Sequence, residues 1–249
     1  MESDLHVFGA SVPSIHRIPT PRAMPFLKPG KPGRLTEGIS LTTPQRDALT
    51  RIGLRQRLPP RFVVYREGDE ARWVFAIAEG AVKSYHELRS GRRIVACFLF
   101  GRDLFGLAEN GKYMNTVETL ARTTVYRLPI EELANLLKQD AGMQFAFLAK
   151  VTHELRGAQR RSTLMTRRDA AGRLAMFIAQ MGERLTPDAD GSILLPMSRS
   201  DIAAFIGLSL ESVSRAAAVL ERRKLVVFEG RHRVRIIDPA AFAALTRAV

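Results

Sequence analysis

Residues 198–224 read SRSDIAAFIGLSLESVSRAAAVLERRK, and the fold is decided here. Two short helical patterns meet at Gly207. Ile202, Ala203 and Ile206 share one face of the first, while Val213, Ala217 and Leu220 recur at three- and four-residue spacing in the second. Gly207 supplies the positive φ that a tight interhelical turn needs, and Ser209 is placed to cap the second helix. A helix-turn-helix requires a small residue where its helices touch, a glycine at the turn and a β-branched anchor beyond it. Ala203, Gly207 and Val213 stand at those places. The alternative is an ordinary αα-hairpin in a core.

The first turns of the second helix carry Glu211, Ser212, Ser214 and Arg215, in the part that a helix-turn-helix inserts into the major groove. Arginine bonds guanine O6 and N7 in bidentate fashion, and glutamate accepts from cytosine N4. At i and i+4, Glu211 and Arg215 also suit a helix salt bridge. The two roles are compatible, because the pair would hold the arginine extended toward the base. Ser200, Ser209, Ser212 and Arg222 are candidate supports at the DNA backbone.

The run 210–215, LESVSR, resembles the E-x-x-S-R recognition motif of the FNR and FixK branch of the CRP/FNR family of bacterial transcription regulators. The catabolite activator branch has an additional arginine where Leu210 stands and a glycine where Ser214 stands. The resemblance covers roughly residues 60–240. It implies an α+β chain: a cyclic-nucleotide-binding-like β-roll (jelly roll), a long dimerisation helix and a C-terminal winged helix-turn-helix. It further implies a homodimer, an activator rather than a repressor, that binds double-stranded DNA at an inverted repeat of half-sites close to TTGA(T/C). Arg215 would read G, Glu211 the C or A side of the same step and Ser214 a T. RNA polymerase would be a further partner.

With 249 residues and 46% hydrophobic content, the chain can bury one large or two modest cores. A net charge of +13 favours an anionic partner, either nucleic acid or an acidic membrane surface. No apolar run reaches the ~18–20 residues of a membrane span. Glu2 and Asp4 stand where a secretory signal would begin, so the expected compartment is the cytoplasm. A single cysteine excludes an internal disulfide and a four-cysteine metal or iron–sulfur site. No nucleophile–base motif, phosphate loop or metal-spaced set suggests an enzyme.

In chain order, residues 1–40 are rich in proline, glycine and basic residues and read as an irregular basic arm; His6 and His16 there read as solvated. A helix is expected over 42–57, with Thr43-Pro44 as cap and first residue. A β-roll with flanking short helices is expected over 41–138. Its β-type runs at 62–65, 73–78, 81–86, 94–100 and 123–128 are separated by glycines at 68, 80, 91, 101, 106 and 111. Glu67-Gly68-Asp69, Glu79-Gly80-Ala81-Val82 and 98–107 resemble the cyclic-nucleotide-binding roll, except that Gly101-Arg102-Asp103 replaces the family's Pro-Gly-Asp. A short helix is expected over 130–137.

The long helix of 139–167 carries Leu148, Val151, Leu155, Ala158, Ser162 and Met165 at the spacing of a coiled-coil seam. That stripe either pairs with a second copy or packs on its own roll, and Phe145 and Phe147 offer a second apolar face for the roll. Arg156, Arg160, Arg161, Arg167 and Arg168 on the same helix read mostly as solvated. The DNA-binding domain takes 168–249. Asp169 caps a helix with Leu174, Ile178 and Met181 buried, a strand follows at 193–195, and 226–228 and 234–236 form a wing whose Arg231, His232 and Arg233 face the DNA backbone. A last helix begins at Pro239.

By the resemblance, cyclic AMP would need an arginine and a hydroxyl where Met114 and Asn115 stand, with Lys112 the nearby cation, and the purine-facing Thr-Ser pair falls on Ala158-Gln159. No cofactor is therefore expected. Cys97 lies in an apolar strand and is either a buried inert thiol or a redox switch. His86 and His153 are candidate haem ligands. The remaining resemblance is to the FixK type, which lacks the iron–sulfur cysteines and is controlled by its abundance. The alternative is a regulator gated by a small molecule or haem in the roll.

Overall fold

The computed structural model describes residues 42–167 and 169–247. The expected arm over 1–40 and Arg168 lie outside them, as do the side chains of His153, Glu154 and Arg247. Helix α1 (Thr43–Ile52) precedes ten strands: β1 (Leu54–Leu58), β2 (Val63–Tyr65), β3 (Trp73–Glu79), β4 (Ala81–Glu87), β5 (Arg93–Phe100), β6 (Leu104–Phe105), β7 (Ala108–Glu109), β8 (Lys112–Tyr113), β9 (Thr116–Thr119) and β10 (Thr123–Pro129). Then come α2 (Ile130–Gln139), α3 (Ala141–Thr166), α4 (Ala170–Gly182), β11 (Ser192–Leu194), α5 (Arg199–Ile206), α6 (Leu210–Arg222), β12 (Val226–Glu229), β13 (Arg233–Ile236) and α7 (Pro239–Arg247).

The helix expected over 42–57 is shorter and is followed by a strand. Its cap is Thr42, whose side chain accepts from the Gln45 N–H while the Gln45 side chain accepts from the Thr42 N–H. It stops at Gly53, where a Cβ would meet Leu49 O at 2.9 Å and Leu128 Cδ2 at 3.0 Å. The chain must pass that close to lay β1 antiparallel on β10.

Two four-stranded antiparallel sheets, ordered β1-β10-β3-β6 and β2-β9-β4-β5, face each other. Leu58, Tyr65, Phe75, Ile77, Val82, Leu99, Phe105, Tyr113, Val117 and Val125 fill the space between them. Tyr65 stacks on Tyr113 with centroids 3.7 Å apart, and Phe75 on Phe105 at 4.9 Å. Leu49, Leu128, Leu133 and Met143 tie α1, α2 and the start of α3 to one end of this roll. In the turn after β5 the left-handed residue is Arg102 (φ 76°), and Asp103 folds back to accept from the Phe100 N–H at 2.9 Å.

Along α3, Leu148, Val151 and Leu155 are exposed, and so are Ala158 and Ser162. Two expectations for this helix need correction. Phe145 is 48% exposed and extends the stripe by a turn, leaving Phe147 to pack on the roll. Met165 leaves the stripe: it is partly buried against the helix-turn-helix, and a Cβ on Gly207 would come within 3.0 Å of its sulfur.

The last third is built as expected, with α4, α5 and α6 over the three-stranded sheet β11-β13-β12. Its core is not separate from the roll. Ala81, Tyr85, Val95, Phe98 and Phe100 on the outer face of β4 and β5 belong to the same buried cluster as Phe177, Ile202, Phe205, Ile206, Val213 and Leu220. A division at 138 and 168 therefore cuts through one continuous apolar core.

Candidate nucleic-acid interface

Ser198 starts α5 by a capping box with Asp201, and α5 ends at Gly207 with φ 68°. The chain bends by 98° between α5 and α6, within the range of a helix-turn-helix. Ser209 caps α6, accepting from the Ser212 N–H at 3.1 Å. Val213, Ala216, Ala217 and Leu220 turn inward, with Ala203 of α5 buried beside them.

The opposite face of α6 is open. Arg215 Nη1 donates to Glu211 Oε1 at 2.8 Å, and these side chains are 68% and 76% exposed. Arg215 Nη2 also reaches Ser212 Oγ, at 3.5 Å. The Ser214 hydroxyl donates to Leu210 O at 3.0 Å, which leaves its oxygen free to accept. Leu210, whose place in the motif sequence alone ties only to a family branch, is 52% exposed at the first turn of α6. An apolar side chain exposed on this face has the chemistry to meet a thymine methyl. A cleft of about 330 Å³ beside this face is bordered by Asp169–Ala171 and by Ser212, Arg215, Ala216, Val219 and Arg223.

The expected backbone supports divide. Ser200 and Arg222 are exposed, as is Arg231 on the wing. Arg233 is engaged instead by the Asp188 carboxylate and by Ser192 Oγ at 3.0 Å, while its side chain stays 42% exposed. His232 Nδ1 lies 3.0 Å from Leu195 O. β13 alternates its side chains, and position 233 falls on the open face beside Leu194, opposite the buried Val234. Arg231 and His232 are both exposed, and of the three basic wing residues only Arg231 has no hydrogen-bond or ion-pair partner among the described residues.

In the roll, Leu107 and Met114 are 47% exposed, Lys112 is exposed, and Ala158 and Gln159 lie on the exposed side of α3. His86 Nδ1 is 3.1 Å from Glu67 Oε2. Cys97 is partly buried against the roll core. Among the described residues, no group of three or more His, Cys, Asp and Glu side chains could hold a metal ion, and no single helix is long and apolar enough to cross a membrane.

In the last third of the chain, two aspartates at helix N-termini are held ionised. Burial works against the charge of Asp201, but bonds from Lys83 and Ser198 outweigh it and bring its carboxyl below the ordinary value. At Asp169 burial is likewise outweighed, by the Gly172 N–H and the Arg167 guanidinium.

Comparison with known proteins agrees with this geometry. Residues 172–245 match the Crp-like helix-turn-helix domain and residues 55–140 the cyclic nucleotide-binding domain. The chain is 31% identical over 202 residues to the transcriptional activatory protein AadR of Rhodopseudomonas palustris, covering 80% of this chain and 83% of that one. It is 28% identical over 200 residues to the nitrogen fixation regulation protein FixK of Bradyrhizobium diazoefficiens, covering 79% and 84%. Among solved structures, FixK2 from Bradyrhizobium japonicum superposes with a TM-score of 0.73 at 29% identity, over 80% of this chain and 99% of that one.

Proposed function

This chain belongs to the CRP/FNR family of bacterial transcription regulators, and from that premise we propose that it activates transcription as a homodimer on an inverted repeat of TTGA-type half-sites. The family is one of DNA-binding regulators, not enzymes. The observation that carries the reading is the Glu211–Arg215 pair, exposed and already joined at the first turns of the second helix. Held extended by Glu211, Arg215 reads the guanine, Glu211 the adjacent step and Ser214 a thymine, while Leu210 meets a thymine methyl. Ser200, Ser209, Ser212, Arg222 and Arg231 lie along the backbone. Phe145, Leu148, Val151, Leu155, Ala158 and Ser162 of α3 meet the same stripe of a second copy, which sets the two reading helices one helical turn, roughly 34 Å, apart. On this reading RNA polymerase is the further partner, no cofactor is needed, and activity follows the amount of protein.

The test is a titration of the protein as purified on a TTGAT-N4-ATCAA duplex and on a scrambled one at fixed, near-physiological salt. Cognate-selective binding without additive is expected. Arg215→Ala should cost about 1–3 kcal/mol on the cognate site and relax discrimination at its G. Equal losses on both duplexes would refute the reading head.

A second reading, a roll that binds a small molecule, is favoured by one observation. Ser84, 2% exposed, has a hydroxyl oxygen with no hydrogen-bond partner among the described residues, on the roll-facing side of β4 opposite Cys97. Protein inactive on DNA until a cyclic nucleotide or haem is added would select this reading.

A further inference from the structure

The helix-turn-helix rests on the outer face of β4 and β5 through two kinds of contact. The first is apolar. The rings of Phe98, Phe177 and Phe205 meet pairwise at 5.2–6.1 Å, and Tyr85, Val95 and Phe100 close the same seam. Apolar burial is non-directional, so this contact holds the domain to the roll without fixing its rotation upon it.

The second kind is directional and occurs at two places. Lys83 on β4, its side chain 9% exposed, donates to Asp201 Oδ1 at 2.8 Å and lies 3.2 Å from Glu118 Oε1; Arg93 lies 3.5 Å from Glu118 Oε2. Asp201 Oδ2 at the same time accepts from the N–H and hydroxyl of Ser198 at 3.0 and 2.6 Å. One carboxylate thus joins the roll to the N-terminal turn of α5, the end that a helix-turn-helix lays across the DNA backbone. Further along the hairpin, Asp103 accepts from Lys150 of α3 and from Arg184, just after α4. Arg184 Nη1 also donates to Phe98 O at 2.8 Å, with its guanidinium 5.0 Å from the centre of the Phe100 ring. Two charge-assisted anchors at separate points on a seam remove the freedom to rotate that the apolar contact leaves.

We propose that Lys83, Asp201, Asp103 and Arg184 are positioning residues for DNA recognition: they orient the helix-turn-helix on the roll so that the two reading helices of a dimer match one half-site spacing. The proposal rests on the dimeric reading above and adds to it the element that sets the geometry. None of the four is a base-reading residue. They act through α5 and α4.

The test uses the full chain with Lys83→Met, Asp201→Asn, the double variant, Arg184→Gln, and Lys83→Arg as the conservative replacement. Unfolding of the DNA-free protein gives the coupling between Lys83 and Asp201, expected to be at least about threefold in the folding equilibrium. Binding is then compared on inverted repeats with spacers of about three, four and five base pairs and on a single half-site. The wild type should prefer one spacing. Lys83→Met, Asp201→Asn and Arg184→Gln should lose most of that preference, about tenfold, while still distinguishing cognate from scrambled half-sites; Lys83→Arg should retain it. Additive effects of Lys83→Met and Asp201→Asn on folding overturn the proposal. So does an unchanged spacing preference in the variants, or a loss of half-site discrimination by the same factor as spacing, since that is the signature of a merely structural role. Equal binding of the wild type to cognate and scrambled duplexes would refute the reading head and the positioning role together. Intact wild-type selectivity with no effect of the variants on spacing would refute the positioning role alone.

Discussion

Truncating Phe98 to alanine perturbs the seam from the roll side. Phe98 is 1% exposed on β5, yet the rings it touches, Phe177 and Phe205, belong to α4 and α5. Loss of the buried ring combines a transfer term and a cavity term, together about 3–5 kcal/mol, a large part of the 5–15 kcal/mol by which a domain is stable. At about 2–4 °C per kcal/mol for a chain of this size, the transition should fall by about 6–20 °C. The informative result is which part melts. Trp73, the chain's single tryptophan, lies in β3 and reports on the roll, while fluorescence anisotropy of a labelled cognate duplex reports on the helix-turn-helix. If the seam is part of one core, both probes melt together in the wild type, and both midpoints fall together in Phe98→Ala. Phe75→Ala, which empties the roll interior away from the seam, provides the comparison. Two separate transitions in the wild type, or a Phe98→Ala variant whose DNA-binding midpoint does not move, would refute the single-core reasoning.

Three other outcomes are expected. Arg102→Gly should stabilise the protein by about 0.5–1 kcal/mol in thermal melts, because the exposed Arg102 holds a left-handed φ of 76° that glycine adopts without a Cβ penalty. Leu148→Glu and Leu155→Glu, at side chains 60% and 59% exposed, should leave the melting temperature nearly unchanged but dissociate the dimer in sedimentation equilibrium; an unaffected dimer would remove α3 as its seam. Stability should fall in acid. Asp201, facing Lys83 and Ser198 with Glu118 and Arg93 nearby, has its folded value below the ordinary 3.8. The folded state therefore binds fewer protons than the unfolded one, and the stabilisation is present above about pH 4 and lost as pH falls through the folded value. Asp201→Asn should flatten that part of a pH–stability profile, and an unchanged slope would show that the Lys83 contact contributes nothing.

The helix-turn-helix was legible because its signals are local. Gly207, the Ser209 cap and the inward Ala203 and Val213 depend on neighbours within a few residues. The boundaries of α3 and the Asp169 cap follow the same logic. β1 escaped because LRQRL carries two arginines and continues a helical stretch, and what ends that helix is the crowding of Gly53 against Leu128, 75 residues away. The ion pair of Arg233 was not legible because its partner, Asp188, lies 45 residues earlier in the chain. The seam left a signal that was not used. In RIVACFLF of β5 both alternating sets of side chains are largely apolar, the mark of a strand covered on both faces. One face, Cys97 and Leu99, lies against the roll interior, while Val95, Phe98 and Phe100 lie against the DNA-binding domain. Lys83 on the adjoining strand was the remaining clue, since a buried lysine requires a carboxylate from somewhere in the fold.

The size of this seam bears on how such a regulator can be controlled. Fully exposing Tyr85, Phe98, Phe177 and Phe205 would cost about 1.5–3 kcal/mol for each side chain, or roughly 6–12 kcal/mol in all. Partial exposure at half that cost still exceeds or equals the 1–3 kcal/mol by which an effector commonly couples two sites. A shift from one part in a hundred to ninety-nine parts in a hundred would need about 5.5 kcal/mol of differential binding. Swinging the helix-turn-helix clear of the roll is therefore beyond an ordinary effector. Control that leaves the aromatic seam closed is within reach: a small rotation on it, limited by Lys83–Asp201 and Asp103–Arg184, or a change in the amount of protein available to pair along α3. The anchors distinguish these cases. If rotation is the switch, Asp201→Asn changes spacing preference and effector response together; if abundance is, it changes spacing preference alone.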